Sequence, residues 1–110
     1  MGVISIDSGQ QSTTIGTEHS LTQLIGIGIY VLNVDLDNMI AGDTVIIRIS
    51  TTCRSIDPLH VAQEITLTDV QDEPNWMSIP IPLASSDEIQ ATIEQSVGVS
   101  RVFPWNMRRM

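Results

Sequence analysis

Residues 29–37 read I-Y-V-L-N-V-D-L-D. Tyr30, Leu32, Val34 and Leu36 recur at every second position, with Asn33, Asp35 and Asp37 between them. A strand points alternate side chains to opposite faces, so this stretch predicts a strand with one dry face and one wet face. Residues 44–50 (T-V-I-I-R-I-S) repeat the pattern, with Val45, Ile47 and Ile49 inward and Arg48 outward. Between the two, N-M-I-A-G-D (38–43) is a short turn, and Met39 and Ile40 are expected to plug the end of the core.

Working outward, residues 60–68 (H-V-A-Q-E-I-T-L-T) alternate again, with Val61, Ile65 and Leu67 inward. Asp57-Pro58 before them and the acidic D-V-Q-D-E-P-N (69–75) after them are turn signals. Residues 76–84 put Met77, Ile79, Ile81 and Leu83 on one face and Pro80 and Pro82 on the other. Proline has no amide hydrogen to give a ladder, so this strand belongs at an edge or pairs irregularly. Residues 86–97 fit a strand (Ile89, Ala91, Ile93) and also one face of a helix (Ile89, Ile93, Val97). The β-branched neighbours favour the strand. Gly98 turns the chain into a last strand, 99–107, disturbed at Pro104.

Towards the N-terminus the pattern weakens. Residues 15–25 hold one or two strands around His19, Leu21 and Ile25, and Gly26 and Gly28 signal a bulge or a close backbone approach. Residues 3–7 (V-I-S-I-D) form a short strand, and 8–14 (S-G-Q-Q-S-T-T) read as a turn-like segment or a flexible arm. The expected total is about seven to nine mostly antiparallel strands. One sheet would leave an apolar face in water, so two sheets must pack. The expected fold is all-β, a β-sandwich with jelly-roll or Greek-key order as variants. It forms one domain over 1–110, with a polar N-terminal segment (about 1–14) and a short basic C-terminal tail (106–110).

Composition agrees with this reading. Ile (16), Val (9) and Thr (10) make 35 of 110 residues, while Ala is 4 and Lys is absent. That mixture suits pleated surfaces and disfavours helices. Thirteen acidic residues face five arginines, a net charge of −8. A general nucleic-acid binder needs a basic footprint, so that class is excluded for the body of the chain. All the acids lie within residues 1–94, whereas Arg101, Arg108 and Arg109 lie beyond them. No apolar run is long enough for a membrane helix. The N-terminus lacks a signal-peptide pattern, so use without export is expected.

Cys53 is the one cysteine, so no intrachain disulfide can form. Cys53 and His60 could meet across a loop as a minimal nucleophile pair, but a small hydrophobe and a surface histidine are the plainer reading. No nucleophile elbow, zincin or phosphate-loop motif occurs. Asp35, Asp37 and Asp43 cluster in sequence without the spacing of an EF-hand, and a solvated strand face accounts for them. Catalytic, cofactor-binding and metal-binding residues are therefore assigned to no position. The C-terminal R-V-F-P-W-N-M-R-R-M (101–110) is different. Trp, Met and Arg are enriched at interface hot spots. Phe103 is expected in the core. Arg101, Trp105, Arg108 and Arg109 are the candidate partner contacts.

The order of two segments carries a resemblance. G-I-Y-V-L-N-V-D-L-D-N-M-I-A-G-D-T-V-I-I-R-I (28–49) comes first, and I-Q-A-T-I-E-Q-S-V-G-V-S-R-V-F-P-W (89–105) comes last. Together they resemble the small virion proteins of tailed bacteriophages, of the capsid decoration or cement type. The most distinctive residues are Gly98, Arg101, Phe103, Pro104 and Trp105. The tail from Asn106 to Met110 departs from such proteins, which often stop soon after the last strand. The resemblance supports a strand at 88–96. It implies a non-enzymatic virion protein on the capsid exterior, assembled in the host cytoplasm. Its partners would be the major capsid protein and neighbouring copies of itself, with a trimer favoured and no cofactor, nucleic acid or membrane. Another virion part (a head fibre base, tail or portal-region protein) and a non-viral glycan- or calcium-binding sandwich module are the alternatives.

Overall fold

The computed structural model describes residues 2–110. Nine strands follow one another: β1 (Ile4–Ser12), β2 (Glu18–Ile25), β3 (Gly28–Asp35), β4 (Thr44–Thr51), β5 (His60–Thr68), β6 (Asn75–Met77), β7 (Ile81–Leu83), β8 (Glu88–Val97) and β9 (Val102–Arg109). They form two antiparallel sheets. One has the order β1-β9-β3-β6, with β7 also paired to β3; the other has the order β2-β8-β4-β5. The pairing is nested: β1 lies beside β9, β2 beside β8, β3 beside β6 and β7, and β4 beside β5.

The dry faces meet in one core. Tyr30, Leu32, Val34, Phe103 and Met107 come from the five-stranded sheet, and Val45, Ile47, Ile49, Ile89 and Ile93 from the four-stranded sheet. The expected alternation in β3 and β4 is therefore observed, and 88–97 is a strand. Leu36 and Met39 close one end of the core as expected, but Ile40 is exposed. It lies in the turn tightened by the Asp43 N–H bonding back to the Ile40 carbonyl at 3.1 Å.

Two strands differ from their simple alternation because each carries an extra residue. In β5, Ile49 faces Gln63 but Ser50 faces Val61, so Ala62 bulges out. One inserted residue inverts the faces beyond it. Val61 is consequently exposed, and Gln63 takes the place opposite Ile49. The other inversion lies between β6 and β7. Asn33 pairs with Met77 and Tyr30 with Ile81, so the stretch opposite β3 is one residue longer than β3 itself. Trp76, Ile81 and Leu83 pack on the core, while Met77 and Ile79 are exposed. Ser78 repairs the interruption: its N–H donates to the Leu32 carbonyl at 2.8 Å, and its Oγ accepts the Leu32 N–H at 2.9 Å.

Pro82 sits on the outer edge, opposite Ile29, where no ladder hydrogen bond is required. Pro104 has the reverse effect. Its nitrogen faces β3, and the β3–β9 ladder ends one residue away, at Val34 and Trp105.

Both chain ends depart from the sequence reading. Residues 8–12, expected as a turn or arm, continue β1 and pair with β9 as far as Ser12 and Val102. A ladder is made of backbone groups, so polar side chains do not prevent it. Residues 106–109, expected as a tail, run between β1 and β3 and pair on both sides.

Candidate functional site

The chemistry-bearing residues do not converge. Cys53 is exposed in the β4–β5 loop, and His60 is exposed at the start of β5. His19 accepts the Thr14 N–H through Nε2 at 3.1 Å, a local turn contact. Asp35 accepts the Asp37 N–H at 2.9 Å, while Asp43 points into the fold. Among the described residues, no group of three His, Cys, Asp or Glu side chains could hold a metal ion. No helix among them is long and apolar enough to cross a membrane.

Polar chemistry is instead concentrated at the end of the sandwich where β8 turns into β9. The Asp43 carboxylate is 2% exposed. It accepts from the Ile40 N–H and from Arg101 Nε, both at 3.0 Å. Burial pushes the Asp43 carboxyl up, but the Ile40 amide, the Arg101 guanidinium and the Val99 amide outweigh it. The group is held below its ordinary pKa of 3.8. Gly98 makes this possible. Its φ is +110°, and a Cβ there would lie 2.0 Å from Asp43 Oδ1. Beside the pair, Thr13 Oγ1 accepts the Arg101 N–H at 3.0 Å and lies 2.5 Å from the Gln95 amide oxygen. Gln95 is fully buried and donates to the Val99 carbonyl at 2.8 Å. This cluster joins the end of β1, the start of β4, the end of β8 and the start of β9. Every polar partner is satisfied within the chain, so its role is to clamp the loops.

The outer face of the four-stranded sheet carries a second network. Arg48 bonds Glu64 at 2.7 Å and Glu94 at 3.0 Å, with Glu18 at 3.3 Å. The hydrogen bonds that Arg48 donates to Glu94 and Glu64, and the nearby Glu18 charge, raise its pKa further above the ordinary range. One cation shared by three carboxylates leaves this face acidic.

The four candidate contacts now separate. Arg101 is engaged inside the fold by Asp43. Trp105 is half-buried against the core, with its indole across Gly9 of β1, where a Cβ would lie 3.4 Å from the ring. Phe103 is fully buried, as expected. Trp105→Ala should therefore cost about 2–3 kcal/mol in chemical denaturation, below the about 3–5 kcal/mol of a fully buried aromatic. An unchanged denaturation midpoint would place the ring outside the core.

Arg108 and Arg109 remain. Neither has a carboxylate within salt-bridge distance among the described residues, whereas Arg48, Arg54 and Arg101 each do. Arg109 lies in register with Tyr30 at the end of β9, and Gly28 leaves room for its side chain. Arg108 lies on the outer face of the five-stranded sheet, donating to Asn33 Oδ1 at 3.3 Å.

No family model, curated protein or solved structure matches the chain. Arg108 shares its face with Val31, Asn106 and Pro104, and with the exposed Ile29, Val102 and Met77. That face mixes these apolar residues with Asn33, Asn75 and the β1 residues Ser8, Gln10 and Ser12; it carries Asp35 toward one end and, toward the other, Arg108, which has no carboxylate partner among the described residues. The sequence points to Arg108 through the Trp, Met and Arg content of residues 101–110 and the basic end of the chain. It misses the apolar residues of that face, because their grouping depends on strand order.

Proposed function

We propose that this protein is a structural component of a tailed-phage virion. It binds the outer surface of the icosahedral capsid and stabilises the shell by bridging capsomers. The nested pairing supports a jelly-roll sandwich, with β6 and β7 counting as one interrupted strand. Such a chain is a long antiparallel ribbon rolled into two Greek keys, an architecture that recurs in viral capsid proteins and lectins. This support is analogy at the level of the fold.

The observation that carries the docking role is the contrast between the two outer faces. One is acidic around Arg48. The other places Val31 and Ile29 near Arg108, with Met77 and Val102 further along the same face. Arginine and exposed apolar side chains without partners of their own are residue types enriched where proteins dock. An acidic opposite face would keep the protein from adsorbing to DNA released from particles. Repetition of one modest contact over a symmetric lattice makes the total attachment strong.

Co-sedimentation with assembled phage heads tests this reading. The wild-type chain should saturate the heads at a fixed ratio to capsomers. Arg108→Glu should weaken binding by about 10–100-fold, the usual consequence of reversing a charge at an interface centre. Its melting temperature should stay near that of the wild type, because Arg108 makes no ion pair among the described residues. Equal binding by both proteins would remove this face from the contact.

A further inference from the structure

Every strand pairing among the described residues joins the first half of the chain to the second. β1 pairs with β9, β2 with β8, β3 with β6, β7 and β9, and β4 with β5 and β8. No strand from β1 to β4 is bonded to another of that group, and none from β5 to β9 to another of its own. The chain passes from one group to the other through the β4–β5 loop. A break in that loop would cut no ladder, and both sheets would still hold the two pieces together.

The loop is lightly tethered. Thr52 anchors its start: its N–H donates to the Glu88 carbonyl at 3.2 Å, and its Oγ1 accepts the Glu88 N–H at 3.0 Å. Beyond it, Cys53, Arg54, Ser55 and Ile56 are all exposed. From Cys53 to Leu59, the turn and side-chain hydrogen bonds all run between Arg54 and Asp57. The Asp57 N–H donates to the Arg54 carbonyl at 2.9 Å, and the Arg54 N–H, Nε and Nη2 donate to the Asp57 carboxylate at 3.0 Å each. A protease takes its substrate as an extended strand, so a cut requires local opening. Opening costs least where few contacts must break, which is why exposed loop tips are the preferred sites of nicking.

The side chains at this point suit one class of protease. The chain has five arginines and no lysine, so an enzyme that recognises a cationic side chain before the cut has five places to act. Four are closed. Arg48 lies within β4, held by Glu64 and Glu94, with its side chain 23% exposed. The Arg101 side chain is 22% exposed, and its backbone N–H and carbonyl are both bonded to Thr13. Arg108 and Arg109 lie in β9, between β1 and β3. The Arg54 side chain is 71% exposed, and serine rather than proline follows it. Its pairing with Asp57 is a surface ion pair, which gives way at little cost.

We propose that the β4–β5 loop is a processing site, where a trypsin-class protease hydrolyses the Arg54–Ser55 peptide bond and the two products stay assembled as one sandwich. One water is consumed. The Arg54 carbonyl carbon becomes a carboxylate, and Ser55 gains an α-amino group. The proposal is independent of the capsid reading, because it rests on strand order and on the setting of each arginine.

Brief trypsin digestion of the native full chain tests it. The first products should be 1–54 and 55–110, separate by mass spectrometry in denaturant. On native gel filtration they should run as one species, with the circular dichroism of the uncut protein. Arg54→Gln should leave the chain intact over the same time. The urea midpoint of the cut protein should fall on dilution, since its unfolding releases two chains, while that of the uncut protein should not move. A first cut at another arginine, no cut at all, or products that separate or lose their strand signal would overturn the proposal. So would a cut protein whose midpoint ignores concentration, because one half would then be folding without the other.

Discussion

Replacing Arg101 with alanine is expected to destabilise the fold by about 3–5 kcal/mol at neutral pH, the usual cost of breaking a buried pair from one side. Asp43 would keep its charge among buried groups and lose its counter-ion, since its carboxylate is almost wholly enclosed. The pH dependence distinguishes this from a simple loss of packing. In the wild type the Asp43 pKa is below its ordinary value. Its contribution is therefore complete above the unfolded-state pKa and is lost as pH falls through the folded-state pKa. Without Arg101, only the Ile40 and Val99 amides oppose burial, so the carboxylate is held down less and its contribution at neutral pH is smaller. The difference disappears once Asp43 is protonated in both proteins. Urea denaturation of both proteins should show a gap that is widest near neutrality and narrows in acid. A gap independent of pH would mean that Arg101 acts through packing and not through Asp43.

The second large effect is expected at Phe103. It is fully buried between the sheets, on a strand flanked by β1 and β3. Phe103→Ala should cost about 3–5 kcal/mol, from lost transfer energy and the cavity left behind. A domain of this size has roughly 5–15 kcal/mol of total stability, so partial unfolding at physiological temperature is expected. Differential scanning calorimetry reads this directly. A shift of only a degree or two would show that the core between β9 and the opposite sheet is loosely packed.

Much of the fold was legible because two strands obey a period of two without interruption. Residues 30–36 and 45–49 place every expected side chain in the core. Legibility failed wherever a single residue was inserted. Val61 and Ile79 are apolar and in phase by sequence, yet exposed, because Ala62 and the Ser78–Pro80 interruption each invert the strand. A bulge is chosen by the partner strand, and one chain's pattern carries no mark of it. The polar stretch Ser8–Ser12 misled for a related reason. Its strand is held by backbone bonds to β9, a partner about a hundred residues away in sequence.

The candidate site was legible only in part. The segregation of Arg108 and Arg109 from every acid is visible in the sequence. That Arg101 belongs to a different system depends on Asp43 arriving from the β3–β4 turn, through the space that Gly98 leaves. The apolar residues that share a face with Arg108 come from β3, β6 and β9, and only the sheet order puts them on one surface.

Electron cryomicroscopy of the virion that carries this chain tests the central claim most directly. The account predicts repeated density of about 41 × 30 × 19 Å on the outer shell, spanning capsomer boundaries, with the Arg108 face toward the shell. Density confined to the tail, the portal region or the shell interior would contradict it, and so would a shell with nothing bound.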